Sequence, residues 1–191
     1  MAQTDLTAVL TTARGGAGLS VGSSTVPGMT HWIHGPLPHH EETNVVFFRG
    51  ISLDALTQGL LDQRRKPLAY GKGTDWGLVI HDMLSWESAD YDLAHYGQLC
   101  PAGGELVVFV IEPCLAKAHG PSFQYFRDGR LITTFSFETP YHRGGEEPDL
   151  LLPALAAANL IDPADLDRDD NEERIVEAIT GFFSLPELEM P

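Results

Sequence analysis

The chain is poor in cysteine and in basic residues. Its 191 residues include two cysteines, Cys100 and Cys114, and 12 Lys+Arg against 27 Asp+Glu, for a formal net charge of −15. Two cysteines without a metal-ligand spacing are more often buried thiols than a disulfide or a metal pair, and we interpret both as structural. An excess of carboxylates repels phosphate backbones and anionic lipid. The composition therefore predicts no nucleic-acid and no membrane-surface role and leaves a basic protein partner open.

Long apolar runs, targeting signals and catalytic signatures are also missing. The first residues lack a basic segment, the apolar pair Val9-Leu10 is too short for a signal core, and no stretch approaches the roughly 20 residues that span a bilayer. We therefore expect a cytoplasmic protein. The Gly-rich segment 15–24 is not followed by Gly-Lys-Ser or Gly-Lys-Thr, and there is no Gly-x-Ser-x-Gly elbow. The sequence indicates no cofactor.

Enough apolar sequence is present for a sizeable core. With 43% hydrophobic residues, a chain of this length is expected to form one domain. We place an N-terminal extension with a Gly/Ser/Pro/His-rich linker at residues 1–43 and a single α+β domain at 44–191. The charge is uneven, because residues 138–191 carry 14 acidic and 3 basic residues, or −11 of the −15.

Three segments read as core strands. Six consecutive apolar residues between Glu105 and Glu112 are typical of a central strand buried on both faces. The segment Asn44–Phe48 predicts the first strand of the core. Alternation from Trp76 to His81 predicts a strand that packs chiefly through one face and lies next to the strand at 105–112.

A hairpin is predicted around Asp128-Gly129, a pair that tolerates the positive φ angles of a type I′ turn. Apolar and aromatic residues at 123–127 and 130–137 flank it. A two-residue turn sets these residues opposite one another: Arg127 and Arg130, Phe126 and Leu131, Tyr125 and Ile132.

Apolar residues at helical spacing predict helices over 52–62, 148–159 and 171–183. Ser52 can cap the first helix, Asn159 can end the second in the left-handed conformation, and Asp170 with Glu173 has the spacing of a capping box. The expected fold is α+β, an antiparallel or mixed sheet of four to six strands flanked by helices.

Several of these segments, in their order, resemble a family of small uncharacterised domains common in actinobacteria. They are the strand-helix unit that starts at Phe48-Arg49-Gly50, the strand after Trp76, the Asp128-Gly129 turn with its following strand, and the segment Gly145–Leu150. The resemblance covers about residues 44–191 and implies no activity.

The densest group of potential metal ligands lies before the first strand. It combines imidazoles and carboxylates, which bind zinc and other divalent ions. Its His-x-x-His pair lacks the i,i+4 helical spacing of zinc proteases, and prolines separate it from the second pair. We therefore expect no stoichiometric metal, with these residues as weak candidates: His31, His34, His39 and His40, beside Glu41 and Glu42.

The catalytic candidates are His81, Asp82 and Glu112, because a strand end can present a general base and a carboxylate to a pocket. His81 and Asp82 are adjacent on a strand and point to opposite faces, so a surface or capping role is favoured over a dyad. Arg49 with Ser85 and Glu138 evokes an NAD-using transferase, but no supporting motif accompanies it.

The binding candidates are Trp76, Arg143, Asp167 and Asp169. Arg143 precedes a Gly-Gly loop and could hold an anion, although the nearby Glu146 and Glu147 favour an internal ion pair.

Two functions from different classes remain open. The leading hypothesis is a non-enzymatic intracellular binding or regulatory module, such as an immunity-type protein, whose acidic C-terminal third covers a basic protein surface. The alternative is a small tailoring or hydrolytic enzyme with a site near His81, Asp82 and the 31–40 loop. A convergent pocket holding two of those histidines with Asp82 or Glu112 favours the enzyme, and a flat acidic face favours the binding module. The oligomeric state is left open.

Overall fold

A computed structural model describes residues 10–11, 31–37, 40, 42–87, 94–111, 121–162, 166 and 169–188. The strands are β1 Leu10–Thr11, β2 Thr43–Arg49, β3 Pro67–Lys72, β4 Gly77–Asp82, β5 Glu105–Ile111, β6 Ser122–Arg127, β7 Arg130–Ser136, β8 Arg143–Gly144 and β9 Glu187–Leu188. The helices are α1 Leu53–Asp62, α2 Tyr96–Leu99, α3 Leu152–Ala157 and α4 Asn171–Phe183, and a single 3-10 turn spans Trp32–His34.

Seven strands form one open antiparallel sheet in the order β3-β4-β2-β5-β6-β7-β8, while β1 and β9 make a separate pair. The α+β class and the antiparallel sheet are confirmed, but the predicted four to six strands are too few. The two overlooked strands are the edge strands. Pro67 and Gly71 in β3 resemble turn residues, and an edge strand tolerates them because one side of its backbone has no ladder partner. The two-residue β8 lies inside the Gly-rich loop.

The centre of the sheet differs from the prediction in one neighbour. The strand after Trp76 was expected beside the strand at 105–112, but β2 lies between them and pairs with β4 on one side and β5 on the other. The apolar residues 45–48 of β2 are buried on both faces, which suits this central position. Strand β4 is also buried on both faces rather than chiefly on one, because Val79 packs on the face opposite Leu78 and Ile80.

The hairpin prediction is confirmed at its turn. Asp128 and Gly129 have φ angles of 54° and 78°, as a type I′ turn requires, and Arg127 pairs with Arg130. The register then shifts by one residue, so that Tyr125 lies opposite Thr133 and not opposite Ile132. This bulge follows the first two pairs of the hairpin and increases the local twist.

The three predicted helices are present. The Ser52 side chain caps α1 by accepting a hydrogen bond from the Ala55 amide at 3.1 Å. Asn159 has φ 53° after α3, although that helix starts at Leu152 and not at 148. Helix α4 spans the predicted 171–183, but Asp170 makes no side-chain cap bond, so the capping box is not formed.

Each face of the sheet carries its own core. The first face is covered by α3, α4 and the turn at Trp32–His34, and its buried residues are mainly aromatic and aliphatic. The second face is covered by α1 and α2 and includes Tyr96 and Cys100. We use these two names for the faces below.

Candidate functional site

Buried polar groups meet at the end of the sheet where β2 begins and β4 ends. His81 has an exposed fraction of 0%, and its Nε2 atom lies 2.9 Å from the hydroxyl of Tyr96, the first residue of α2. Asn44 pairs with His81 across the β2–β4 ladder and donates from Nδ2 to the same hydroxyl at 2.6 Å. The Nδ1 atom of His81 lies 2.8 Å from the carbonyl oxygen of Asp82. The four groups form one hydrogen-bonded chain, the His81 network, on the second face.

The carbonyl of Asp82 fixes the direction of every bond in this network. A carbonyl oxygen can only accept, so Nδ1 of His81 carries the proton and Nε2 accepts. The Tyr96 hydroxyl therefore donates to His81 and accepts from Asn44. This arrangement leaves Oδ1 of Asn44 buried without a hydrogen-bond partner among the described residues.

Burial sets the protonation states of the network. It lowers the pKa of His81 from 6.5 to about 4, and it raises the pKa of Tyr96 far above its usual value. The guanidinium of Arg65, itself only 3% exposed, lowers both pKa values by a smaller amount. His81 and Tyr96 are therefore both neutral near pH 7. A neutral, enclosed pair is not placed to exchange protons with a substrate, so the network is suited to holding α2 on the sheet.

Asp82 has a different histidine as its neighbour. Its Oδ1 lies 3.8 Å from Nδ1 of His40, and both side chains are partly exposed. Burial raises the pKa of Asp82, and His40 partly offsets that rise. Nδ1 of His81 bonds the backbone carbonyl of Asp82 and not its carboxylate. A surface or capping role was expected for His81, and its burial excludes the surface role. Glu112 lies outside the described residues.

The other two described histidines of the 31–40 loop lie against α4. His34 is held between two carboxylates, with Nδ1 3.5 Å from Glu172 and Nε2 3.4 Å from Glu173. The Nδ1 atom of His31 accepts a hydrogen bond from the amide of Ile33, and burial lowers the pKa of His31. His39 is outside the described part of the chain. Within that part, no group of three or more His, Cys, Asp or Glu side chains has a metal-binding arrangement.

Trp76 contributes to the core and not to an exposed site. It is 2% exposed, and its Nε1 donates to the carbonyl of Phe183 at 3.2 Å. The guanidinium of Arg49 lies 4.5 Å from its ring centroid and makes a two-bond pair with Glu105 at 2.8 and 2.9 Å. The tryptophan immediately precedes β4 and thus joins the start of this strand to the end of α4, and its ring is not available at the surface.

Arg143 forms an internal ion pair, but not with the expected glutamates. Its side chain bonds Asp149 at 2.8 Å and the carbonyl of Pro140 at 3.0 Å. The turn after β8 carries the two glutamates to the tip of the hairpin, where two arginines face each other. The pairs there are Arg130 with Glu146 at 2.8 Å and Arg127 with Glu147 at 2.6 Å. Asp169 is exposed ahead of α4, and Asp167 lies outside the described residues.

The residues that evoked an NAD-using transferase do not converge. Arg49 is the last residue of β2, and Ser85 follows β4 at the opposite end of the same ladder, so roughly 20 Å of paired strand separates them. Arg49 is engaged by Glu105 and not by Glu138.

The sequence reading overlooked Asn44, Arg65 and Tyr96 as partners of His81. One signal was available, because Asn44 is a polar residue at the start of an apolar strand and is expected to bond a neighbour there. The contribution of Tyr96 could not be read from sequence, since it depends on where a four-residue helix packs.

The fold and its buried sites define an α+β domain built around an open, seven-stranded antiparallel sheet. The chain belongs to a family of unknown function, DUF6461, whose sequence profile matches residues 68–188. The resemblance to an uncharacterised family is therefore confirmed. No curated protein and no solved structure is detectably similar to the chain. In the described residues, no helix is long and apolar enough to cross a membrane.

Proposed function

We propose that this protein is a non-enzymatic binding or regulatory module, of the immunity type, that covers a basic surface of another protein with its acidic C-terminal third. The observation that carries the proposal is the dispersal of the candidate catalytic groups. The described histidines of the candidate set lie in three separate places: His31 and His34 against α4, His40 beside Asp82, and His81 in the interior. A general acid–base site needs such groups around one substrate position.

The location of the unneutralised acidic charge supports the same proposal. Acidic side chains of the 146–149 loop are already ion-paired with Arg127, Arg130 and Arg143. The acidic side chains on and just before α4 have a different neighbour, because Glu172 and Glu173 lie beside the imidazole of His34 and not beside an arginine. Those acids are Asp169, Glu172, Glu173 and Glu177, which are exposed or half-buried.

The arginine of α4, Arg174, bonds groups other than these carboxylates. Arg174 donates to the carbonyls of Ala158 and Asn159 and to Oδ1 of Asn171, so it ties α4 to the end of α3. The carboxylates of α4, from Glu172 to Glu177, therefore extend over about 8 Å of helix at 1.5 Å per residue, and a basic partner would be attracted to them at long range.

The test is capture of a partner from native lysate, followed by association kinetics at two salt concentrations. Asp169→Asn with Glu177→Gln should slow association several-fold at low salt and leave the unfolding midpoint unchanged, because exposed charges steer encounter and are screened by salt. Asp54→Asn with Asp62→Asn is the matched control, since it removes the same charge from α1 on the second face. An association rate that changes neither with salt concentration nor with the α4 substitutions would contradict the proposal.

One observation favours the enzyme alternative. The His40–Asp82 pair combines an imidazole with a carboxylate whose pKa is raised by burial, as in many acid–base sites. The 3.8 Å separation is too long for a hydrogen bond, so the pair is looser than an oriented catalytic dyad. A hydrolytic activity that is abolished by His40→Ala and by Asp82→Asn, in protein that remains folded, would establish this alternative over the binding module.

A further inference from the structure

An exposed tryptophan marks a surface on the side of the molecule that carries α1. Trp86 is 54% exposed and Leu61 is 41% exposed. The backbone of Arg64 links these two residues. Its amide donates to the carbonyl of Leu61 at 2.8 Å, and its carbonyl accepts a hydrogen bond from the amide of Trp86 at 3.3 Å. The side chain of Arg64 pairs with Glu87 at 2.5 Å. We call these four residues, Leu61, Arg64, Trp86 and Glu87, the Trp86 surface.

The backbone of Arg64 is unusual. It has φ 59° directly after the end of α1, a left-handed position at which glycine is the least costly residue. Any residue with a side chain is strained at this position. Among the described residues, the other non-glycine positions with positive φ are short polar side chains, namely Asp128, Asn159 and Ser184. The chain thus keeps a long cation at a strained position, and the backbone carbonyl of this residue accepts a hydrogen bond from the amide of Trp86.

The charges of the Trp86 surface suit pairing with itself. The Trp86 surface contains one cation and one anion, 54% and 58% exposed, so it is locally neutral in a chain of net charge −15. Two such chains repel each other, and the repulsion is smallest where the local charges cancel. In a two-fold arrangement the same patch meets its copy, so Arg64 of each chain can face Glu87 of the other while the tryptophans pack between them.

We propose that the Trp86 surface is the contact through which two copies of this chain form a two-fold dimer. The occupant is a second copy and not the basic partner proposed above, because that partner is attracted to carboxylates on α4 and this surface offers it no net charge. Tryptophan and arginine are the residues that most often dominate the energy of such contacts.

The first test is the oligomeric state of the purified full-length chain, measured by sedimentation from low to high micromolar concentration. The proposal predicts a species of twice the 20.9 kDa chain mass as concentration rises. Trp86→Ser should weaken the dimer at least about tenfold, as the loss of a central aromatic contact does. Phe182→Ser is the matched control, since it removes another exposed aromatic side chain, 42% exposed on α4, and should leave the dimer unchanged.

The second test exchanges the charges of Arg64 and Glu87 and leaves Trp86 in place. Arg64→Glu and Glu87→Arg should each weaken the dimer, because each leaves like charges facing across the axis. The double variant should restore it, because opposite charges then face each other again. A monomer at every concentration, a dimer that survives Trp86→Ser, or a failure of the double variant to restore pairing would overturn the proposal. So would capture of a different protein by the Trp86 surface of a monomer.

Discussion

The two faces of the sheet are buried by different means. On the first face, a 13-residue amphipathic helix, α4, inserts Ile175, Ile179 and Phe183 into an aromatic core. On the second face, α2 has only four residues, and its buried Tyr96 is bonded to His81 and Asn44. A helix of one turn is unstable by itself and buries little apolar area. The short helix α2 is therefore fixed by a buried hydrogen-bond network, whereas the long helix α4 relies on apolar packing.

The largest expected effect belongs to the first face. Phe123 is fully buried, and its ring lies 5.1 to 6.2 Å from those of Phe109, Phe135 and Phe183. Phe123→Ala should lower the free energy of unfolding by about 3 to 5 kcal/mol, because it leaves a cavity in a packed core. Urea unfolding measures the change. Phe182→Ala, at an exposed position of α4, should cost much less, and equal losses for both would contradict the packing account.

Acid should weaken the second face. His81 has a pKa of about 4 in the folded chain and 6.5 when exposed, so the unfolded chain binds the proton more tightly. The stability is complete above pH 6.5 and falls as the pH drops toward 4, by about 3 kcal/mol in all at roughly 1.4 kcal/mol per pKa unit. Unfolding measured across this range should show the fall in the unaltered chain and in His95→Gln, an exposed control. The slope should be smaller in His81→Asn, which keeps the part due to His31, whose pKa is also lowered by burial. A slope that is undiminished in His81→Asn would assign it to other groups.

Removing a tyrosine hydroxyl from each face should show how much its hydrogen bonds stabilise that face. Tyr96→Phe leaves Nε2 of His81 and Nδ2 of Asn44 buried without their shared partner and should cost about 1 to 3 kcal/mol. The matched change on the first face is Tyr125→Phe. It should cost less, because Glu105 keeps its two bonds to Arg49 after losing the tyrosine hydroxyl. The unfolding midpoints of the two variants measure this difference. A loss of stability in Tyr125→Phe that equals or exceeds the loss in Tyr96→Phe would be evidence against the importance of the His81 network.

The smallest effect is expected at the tip of the β6–β7 hairpin, whose strands contribute residues to the cores on both faces. Gly129 has φ 78°, and a Cβ there would lie 3.3 Å from the carbonyl oxygen of Cys100. Gly129→Val should cost on the order of 1 kcal/mol or more, because a β-branched residue resists this conformation. Gly181→Val at an exposed position of α4 serves as the comparison for the loss of a glycine outside a turn. An unchanged unfolding midpoint for Gly129→Val would contradict the strain at this turn.

Local patterns predicted much of the fold and little of the site. The Asp128-Gly129 turn and the Ser52 cap depend on neighbours in sequence, and both are as predicted. The edge strand β3 was overlooked, since an edge position overrides its unfavourable proline. The burial of His81 and the pairing of Arg143 with Asp149 depend on segments that meet only after folding, so spacing alone could not place them.

We infer that the polar interior of the second face is structural, with His81 neutral and enclosed. Heteronuclear NMR of the histidine ring nitrogens tests it most directly. We expect His81 to keep its proton on Nδ1, with Nε2 as an acceptor, from neutral pH down to values close to its pKa of about 4. A His81 ring that gains a second proton near pH 6.5, or that carries its single proton on Nε2, would contradict the account.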